Sequence, residues 1–333
     1  MTNEIENIAR IMVQKPKGIL AMDESNSTIG NRFKEVGLEN TEENRRAYRE
    51  MLITSQGLGN FISGAILFTE TIYQKTKSGI NFPDILNQQG ILPGIKVDLG
   101  TRNYPNFSDE KVTEGLDKLG ERLKEYKQQG AKFAKWRAVY SISEELPTKA
   151  CINANAQRLA EYAGLCQENS IVPIVEPEVL MEGEHSLEDC YIVTKDVLRT
   201  VFDKLEENRI NYKGMILKPN MVVHGKDCPK SYEDIEIAEK TVKVLKLTVP
   251  KGVPGIAFLS GGLNDESATK YLSEMNNHFA DNLPWNLTFS FGRGLQREPL
   301  KVFAKTNNIK QAQAEVIRRA KETSLATEGK YEC

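Results

Sequence analysis

Val-Pro-Ile-Val-Glu-Pro-Glu-Val, residues 172–179, opens apolar and closes charged. Side chains alternate between the two faces of a strand, so Glu176 and Glu178 share one face at the C-terminal end of this run. The same plan recurs along the chain in 18–24 (GILAMDE), 63–68 (SGAILF), 94–99 (GIKVDL), 133–139 (FAKWRAV), 214–220 (GMILKPN), 255–261 (GIAFLSG) and 287–293 (LTFSFGR). Eight short runs predict eight strands, with polar side chains gathered late in all but 63–68.

Amphipathic segments lie between the runs. Val112, Leu116, Leu119, Leu123 and Tyr126 form an apolar stripe that predicts a helix ending near Gly130, and further helices are expected over 154–168 and 187–207. A fourth is expected from Ser231, with Asp234 three residues on as in a capping box. Strands alternating with helices imply right-handed parallel crossovers, and eight such units predict an α/β fold, a closed (β/α)8 TIM barrel. The competing doubly wound open sheet lacks its early G-x-G-x-x-G fingerprint. No linker-like tract interrupts the series, so residues 1–333 read as one catalytic domain. An N-terminal helix and C-terminal helices over about 298–326 are additions to it, and 327–333 reads as a short frayed tail.

The 333 residues are 40% hydrophobic and 27% charged with a net charge of -2, which gives no electrostatic reason to expect nucleic acid or an anionic membrane as partner. No apolar run approaches the roughly 20 residues that span a bilayer, and the start lacks a secretory signal, so a cytoplasmic protein is expected. The five cysteines are scattered without a C-x-x-C and read as reduced thiols. With His185, His224 and His278 in no ligand spacing, a histidine-bound metal is poorly supported.

Lys218 ends an apolar run, where an ammonium is expensive to desolvate. Burial disfavours the charged form, and a neutral lysine attacks carbonyls. In a barrel the late polar residues converge on the C-terminal mouth: Asp23, Lys96, Asp98, Lys135, Arg137, Glu176, Glu178, Lys218, Ser260, Ser290 and Arg293. Lys135 would be a neighbouring cation that lowers the pKa of Lys218, Glu176 or Glu178 a general acid and base, and Asp23 a further base. A protonated imine is an electron sink, so the set suits carbon-carbon cleavage of aldol type. Two glycine-bearing loops, with Ser260, Gly261 and Gly262 in one and Ser290, Gly292 and Arg293 in the other, suit a phosphate. Arg32 with Ser25 and Thr28 can serve a second phosphate on the far side of the mouth. Taken singly, each feature has a bland reading as a solvated strand end or tight turn; jointly they would leave charges unpaired at most strand ends.

The motifs GILAMDES, ENTEENRRAYRE, GIKVD, AKWR, VPIVEPE, LKPNM, FLSGG and FSFGR, in this order over nearly the whole chain, resemble class I fructose-bisphosphate aldolase. The resemblance implies a metal-independent and cofactor-free lyase of glycolysis and gluconeogenesis. It would cleave fructose 1,6-bisphosphate reversibly to dihydroxyacetone phosphate and glyceraldehyde 3-phosphate. By the same resemblance Lys218 is the Schiff-base lysine, Glu176 the proton-transfer residue with Glu178 beside it, and Asp23 the base for the C4 hydroxyl. Lys135 orients substrate, with Lys96 and Arg137 in the same cluster. Ser260, Gly261, Gly262, Ser290, Gly292 and Arg293 match the phosphate site nearest the imine, and Ser25 and Arg32 the region of the other. Expected partners are sugar phosphates and copies of the same chain, as a dimer or tetramer. Animal and plant members carry a longer tail ending in tyrosine; here the sequence ends Tyr331-Glu332-Cys333, and Tyr331 is not equated with that residue. A Schiff-base barrel for another sugar phosphate is disfavoured by the full motif series. A scaffold without catalysis is disfavoured by the intact set Asp23, Lys135, Glu176 and Lys218.

Overall fold

The computed structural model describes residues 2–306 and 308–332. Its strands in chain order are β1 (Gly18–Met22), β2 (Ile62–Leu67), β3 (Leu92–Lys96), β4 (Thr101–Tyr104), β5 (Phe107–Thr113), β6 (Phe133–Tyr140), β7 (Val172–Val179), β8 (Ile216–Leu217), β9 (Gly255–Phe258) and β10 (Asn286–Phe291). Eight of them form a closed parallel barrel in the order β1-β10-β9-β8-β7-β6-β3-β2, and β4 and β5 form a separate antiparallel hairpin. All eight expected strands are present, and helices flank the barrel. Several end earlier than the apolar pattern suggested. β1 stops at Met22 and β8 at Leu217, although the chain keeps ladder-like contacts, with Lys218 N donating to the Val175 carbonyl at 2.8 Å. Pro219 has no N–H to carry β8 further.

The alternation of side chains sorts the barrel into two cores. Inward-facing Ile19, Ile66, Phe133, Val172, Ile174, Ile216 and Ala257 form one cluster, joined by Ile5, Ile8, Ala9 and Met12 of the helix Thr2–Met12, which plugs the barrel at the end opposite the mouth. The intervening residues, among them Leu20, Leu67, Ile95, Trp136, Val175, Leu217 and Phe289, face the surrounding helices. Apolar filling below and charge above follow from one alternating row: Phe133, Lys135 and Arg137 stand on the same face of β6, and Ile174, Glu176 and Glu178 on the same face of β7. The Phe133 ring lies where Gly64 and Gly94 offer no side chain; a methyl on Gly94 would overlap it.

The helix Leu187–Glu207 has the expected bounds, fixed by a capping box between Ser186 and Asp189. Four expectations are corrected. Val112 belongs to β5, because Pro105 and Asn106, the latter at φ 67°, turn the chain between stacked Tyr104 and Phe107, and Gly115 at φ 124° separates the hairpin from the next helix. That helix is Leu119–Gln128, and within it Leu119, Leu123 and Tyr126 are buried as the stripe predicted. The fourth helix is Asp234–Thr248: the Glu233 N–H donates to the Glu236 carboxylate, so the box lies two residues beyond the one proposed at Ser231. The C-terminal region is two helices, Arg293–Thr306 and Ile309–Ala326, the first beginning at the barrel mouth rather than near 298. Residues 327–331 are docked rather than frayed. Thr327 is buried, Tyr331 N donates to Ser273 Oγ at 3.2 Å, and Gly329 packs against the Asn277 backbone. Cys333 lies outside the described residues.

Among the described residues Cys151, Cys166 and Cys190 are buried free thiols and Cys228 is half-buried. No helix is long and apolar enough to cross a membrane. Packing at Phe133 gives a direct test of the barrel interior. Gly94→Ala is expected to lower stability by about 1–3 kcal/mol through overpacking, and Phe133→Leu in the same chain to restore part of it. Urea unfolding of both single variants and the double variant measures the coupling.

Candidate active site

The inward row of charges surrounds a cavity of about 590 Å³ at the C-terminal ends of the strands. Lys135 stands at its centre, 3% exposed, with Asp23 Oδ2 at 2.9 Å, Glu176 Oε2 at 3.2 Å and Asp98 Oδ2 at 3.9 Å from its Nζ. Lys218, 4% exposed, places Nζ 3.0 Å from the other oxygen of Glu176. Lys96 pairs with Asp98 at 2.6 Å, and Arg137 pairs with Glu178. Three lysines thus alternate with three carboxylates. An isolated buried ion costs several kcal/mol, and alternation lets each charge serve as the solvent of its neighbours.

The charges set one another's protonation. Burial opposes ionisation of Asp23, yet the positive charges of Lys135, Lys218 and Lys96 more than offset it and hold the carboxyl down at about 2. Glu176 behaves likewise: burial raises its pKa, and Lys135, Lys218 and Arg137 together bring it below its ordinary value. Burial would strip Lys135 of its proton, but Asp23, Glu176 and Asp98 raise its pKa well above the usual lysine range. Lys135 is therefore a fixed cation ringed by anions. Glu176 stands between Lys135 and Lys218 and forms an ion pair with each ammonium group.

Two glycine loops and a helix start form the neighbouring wall. Gly261 and Gly262 adopt φ of 59° and 111°, a left-handed backbone that favours glycine. Ser290 Oγ is buried and has no hydrogen-bond partner within the protein. Arg293 opens the helix Arg293–Thr306, at whose start the Leu295 and Gln296 amides both donate to the Gly292 carbonyl at 3.1 Å. Among the described residues no carboxylate forms an ion pair with the Arg293 guanidinium. Burial, then the charges of Arg32 and Arg297, lower its pKa from the usual arginine value, as for a cation placed to receive an anion. Ser25 caps the helix Asn26–Glu35, its Oγ 3.0 Å from both Ser27 Oγ and Thr28 Oγ1.

Asp23, Ser25, Arg32, Lys96, Lys135, Arg137, Glu176, Glu178, Lys218, Ser260, Gly261, Ser290, Gly292 and Arg293 all line the cavity. Gly262 does not; it backs onto Arg293 Nη2 and Met181 Sδ, which an added Cβ would meet at 3.2 and 3.3 Å. The position of Arg32 is also corrected. Barrel closure pairs β1 with β10, Ile19 opposite Ser290, so Arg32 Nη2 comes to 4.0 Å from a Cβ position on Gly292 rather than lying on the far side of the mouth. Two residues were given no role by the sequence reading. Asp98, two residues beyond Lys96, holds both Lys96 and Lys135, and the shared face of an i, i+2 pair was its signal. Glu24 accepts from Arg32 and from Gln296 Nε2 at 2.9 Å, and no strand periodicity marks it because β1 has ended.

Stability follows the sign of these shifts. The depressed carboxyl of Asp23 contributes stability that is fully present above pH about 4 and is lost as pH falls toward 2. Asp23→Asn is expected to reduce the stability difference between pH 7 and pH 2 by on the order of 2 kcal/mol, measured by urea unfolding at both pH values. An unchanged difference would contradict the charge assignment.

Comparison with known proteins places this geometry. The family described as "Glycolytic: Fructose-bisphosphate aldolase class-I" matches residues 4–333. A probable fructose-bisphosphate aldolase class 1 of Xanthomonas campestris is 52% identical over 98% of each chain. The cytosolic fructose-bisphosphate aldolase 5 of Arabidopsis thaliana is 50% identical over 99% of this chain and 92% of that one. Fructose-bisphosphate aldolase B of Gallus gallus is 47% identical, covering 98% and 90%. Among solved structures, the Plasmodium falciparum aldolase, determined as a ternary complex with TRAP and a small-molecule inhibitor, superposes with a TM-score of 0.97 at 47% identity, over 99% of this chain and 96% of that one. With a full-length family match, a shared barrel and half of its residues in common with aldolases of bacteria and plants, the chain belongs to the class I fructose-bisphosphate aldolases, lyases that cleave their substrate through a lysine Schiff base.

Proposed function

We propose that Lys218 is the residue that forms the imine with the ketose carbonyl, and that Glu176 carries its protons. The observation that supports this most directly is the contact between Lys218 Nζ and Glu176 Oε1, 3.0 Å, at the buried wall of the cavity. Glu176 takes a proton from the ammonium, the amine adds to the carbonyl, and the same carboxyl returns a proton to the departing hydroxyl so that water leaves. The resulting iminium accepts the electron pair released when the C3–C4 bond breaks. Asp23, held as a carboxylate, takes the C4 hydroxyl proton, and the aldehyde departs. Lys135, fixed in its charged form, balances Asp23 and Glu176 through these transfers.

Ser260, Gly261, Ser290, Gly292 and Arg293 are the proposed seat of the phosphate on the carbon next to the imine, with Gly262 shaping the loop from behind. Ser25 and Thr28, at the start of the helix Asn26–Glu35, are proposed for the other phosphate, with Lys96 nearby, and Arg32, which stands beside Gly292, is proposed to reach between the two seats. The whole of 1–333 serves as one catalytic domain in this reading. A cytoplasmic location is proposed on the strength of the relative named as cytosolic, and a homo-oligomer on the family resemblance.

Borohydride reduction in the presence of dihydroxyacetone phosphate, followed by peptide mass analysis, is expected to leave one adduct on Lys218. Lys218→Met is expected to lose the adduct and on the order of 10⁴-fold in kcat. An adduct on another lysine would reject the assignment. Arg293→Ala is expected to raise KM about 10-fold to 100-fold, the worth of a charge-assisted contact to phosphate, while the Lys218 adduct still forms at saturating ligand. Steady-state kinetics with fructose 1,6-bisphosphate separates the two effects.

A further inference from the structure

The two partners of Glu176 are tied to it unequally. Strand β7 pairs with β6 along its whole length, from Phe133–Val172 to Tyr140–Val179, so a continuous ladder holds Glu176 against Lys135. On its other side β7 pairs with β8 only at Ile174–Ile216 and Val175–Leu217. That ladder continues for one bond more, from the Lys218 N–H to the Val175 carbonyl at 2.8 Å. In a parallel ladder the next bond would run from residue 177 to the Lys218 carbonyl. Residue 177 is proline and has no N–H to give. The backbone thus lets go of β8 at the level of the Lys218–Glu176 pair.

Asn220 takes up the tie with its side chain. Its Oδ1 accepts from the Val179 N–H at 2.9 Å, a bond that the main-chain carbonyl of residue 220 would receive in an unbroken ladder. Its Nδ2 donates to the Met221 carbonyl at 3.0 Å and to Thr194 Oγ1 at 3.3 Å, which fixes the amide between β7 and the helix Leu187–Glu207. Asn220 and Thr194 are both buried. Toward β9 the end of β8 is still held by backbone, the Leu259 N–H donating to the Pro219 carbonyl at 3.1 Å. Toward β7, among the described residues, Asn220 makes the first tie above the gap.

We propose that Asn220 is a positioning residue for the cleavage reaction: its side chain bridges the gap left by Pro177 and keeps Lys218 Nζ at 3.0 Å from Glu176 Oε1, a distance suited to proton transfer. The proposal rests on the assignment of the imine to Lys218 and of its protons to Glu176. Without the bridge the end of β8 drifts from β7, while Glu176 stays with Lys135 because the β6–β7 ladder is intact. The loss therefore falls on imine formation. The proposed phosphate seat lies on the loops after β9 and β10, so substrate binding is spared.

Asn220→Leu keeps the size of the side chain and removes its donor and acceptor. It is expected to lower kcat on fructose 1,6-bisphosphate about 10-fold to 100-fold, with KM changed by less than about threefold, as for a small misplacement of a reacting group. Borohydride trapping of dihydroxyacetone phosphate on Lys218, followed in time at saturating ligand, is expected to slow by the same factor. Thr194→Val, which loosens the amide but leaves its contact with Val179, is expected to slow trapping about 3-fold to 10-fold, and the double variant no more than Asn220→Leu alone, because both groups act through one bond. If Asn220→Leu does not fold, Thr194→Val carries the test. Gly94→Ala, whose loss of stability arises in the apolar layer, is the comparator and is expected to trap at the rate of the unaltered chain. Trapping at that rate in Asn220→Leu or Thr194→Val, additive losses in the double variant, or an equal slowing in Gly94→Ala would each overturn the proposal. Absence of any Lys218 adduct in the unaltered chain would instead defeat the assignment on which it rests.

Discussion

A lysine kept in its charged form by three carboxylates holds this site together. Lys135 is enclosed by Asp23, Glu176 and Asp98, each from a different strand end, and those same carboxylates reach outward to Lys218 and Lys96. Remove the central charge and three buried anions would face one another at the wall of the cavity. The barrel supplies what the cluster requires: strands whose lower halves are sealed by Phe133, Ile174 and the plug from the helix Thr2–Met12, so that the charged upper halves are held at fixed separations. Rigidity of the apolar layer and precision of the ionic layer are one property, because both are borne by alternate positions of the same strands.

Most of the eight strands were legible because their runs carry apolar residues first and polar ones last, as in 133–139 and 172–179. The inward direction of Lys135 with Arg137, and of Glu176 with Glu178, was legible because a period of two needs no tertiary information. The hairpin of β4 and β5 was obscured by Val112 and Leu116, whose spacing from Leu119 suits a helix. Only the turn chemistry of Pro105-Asn106 argues otherwise. The closed barrel was expected, but the reach of Arg32 across its seam was not. Closure puts the first strand beside the last, and the approach of Arg32 to Gly292 depends on how its side chain extends over that junction, which neither motif shows alone. Glu24 was missed for a related reason, since its contacts with Arg32 and Gln296 join the start of the barrel to its end.

The junction of β1 with β10 has a consequence for how the molecule comes into being. Asp23 and Arg32 are among the earliest residues to leave a ribosome, whereas Ser290 and Arg293 are among the last, and the pairs Ile19–Ser290 and Leu20–Phe291 join their strands, with Gln296 reaching back to Ala21 and Glu24. Until that seam closes, the charged rim is open to solvent and the apolar interior lacks one wall. Pairing over so great a sequence separation is entropically slow, so the corner that holds Ser290, Gly292 and Arg293 lacks its neighbour until the first strand and the last meet.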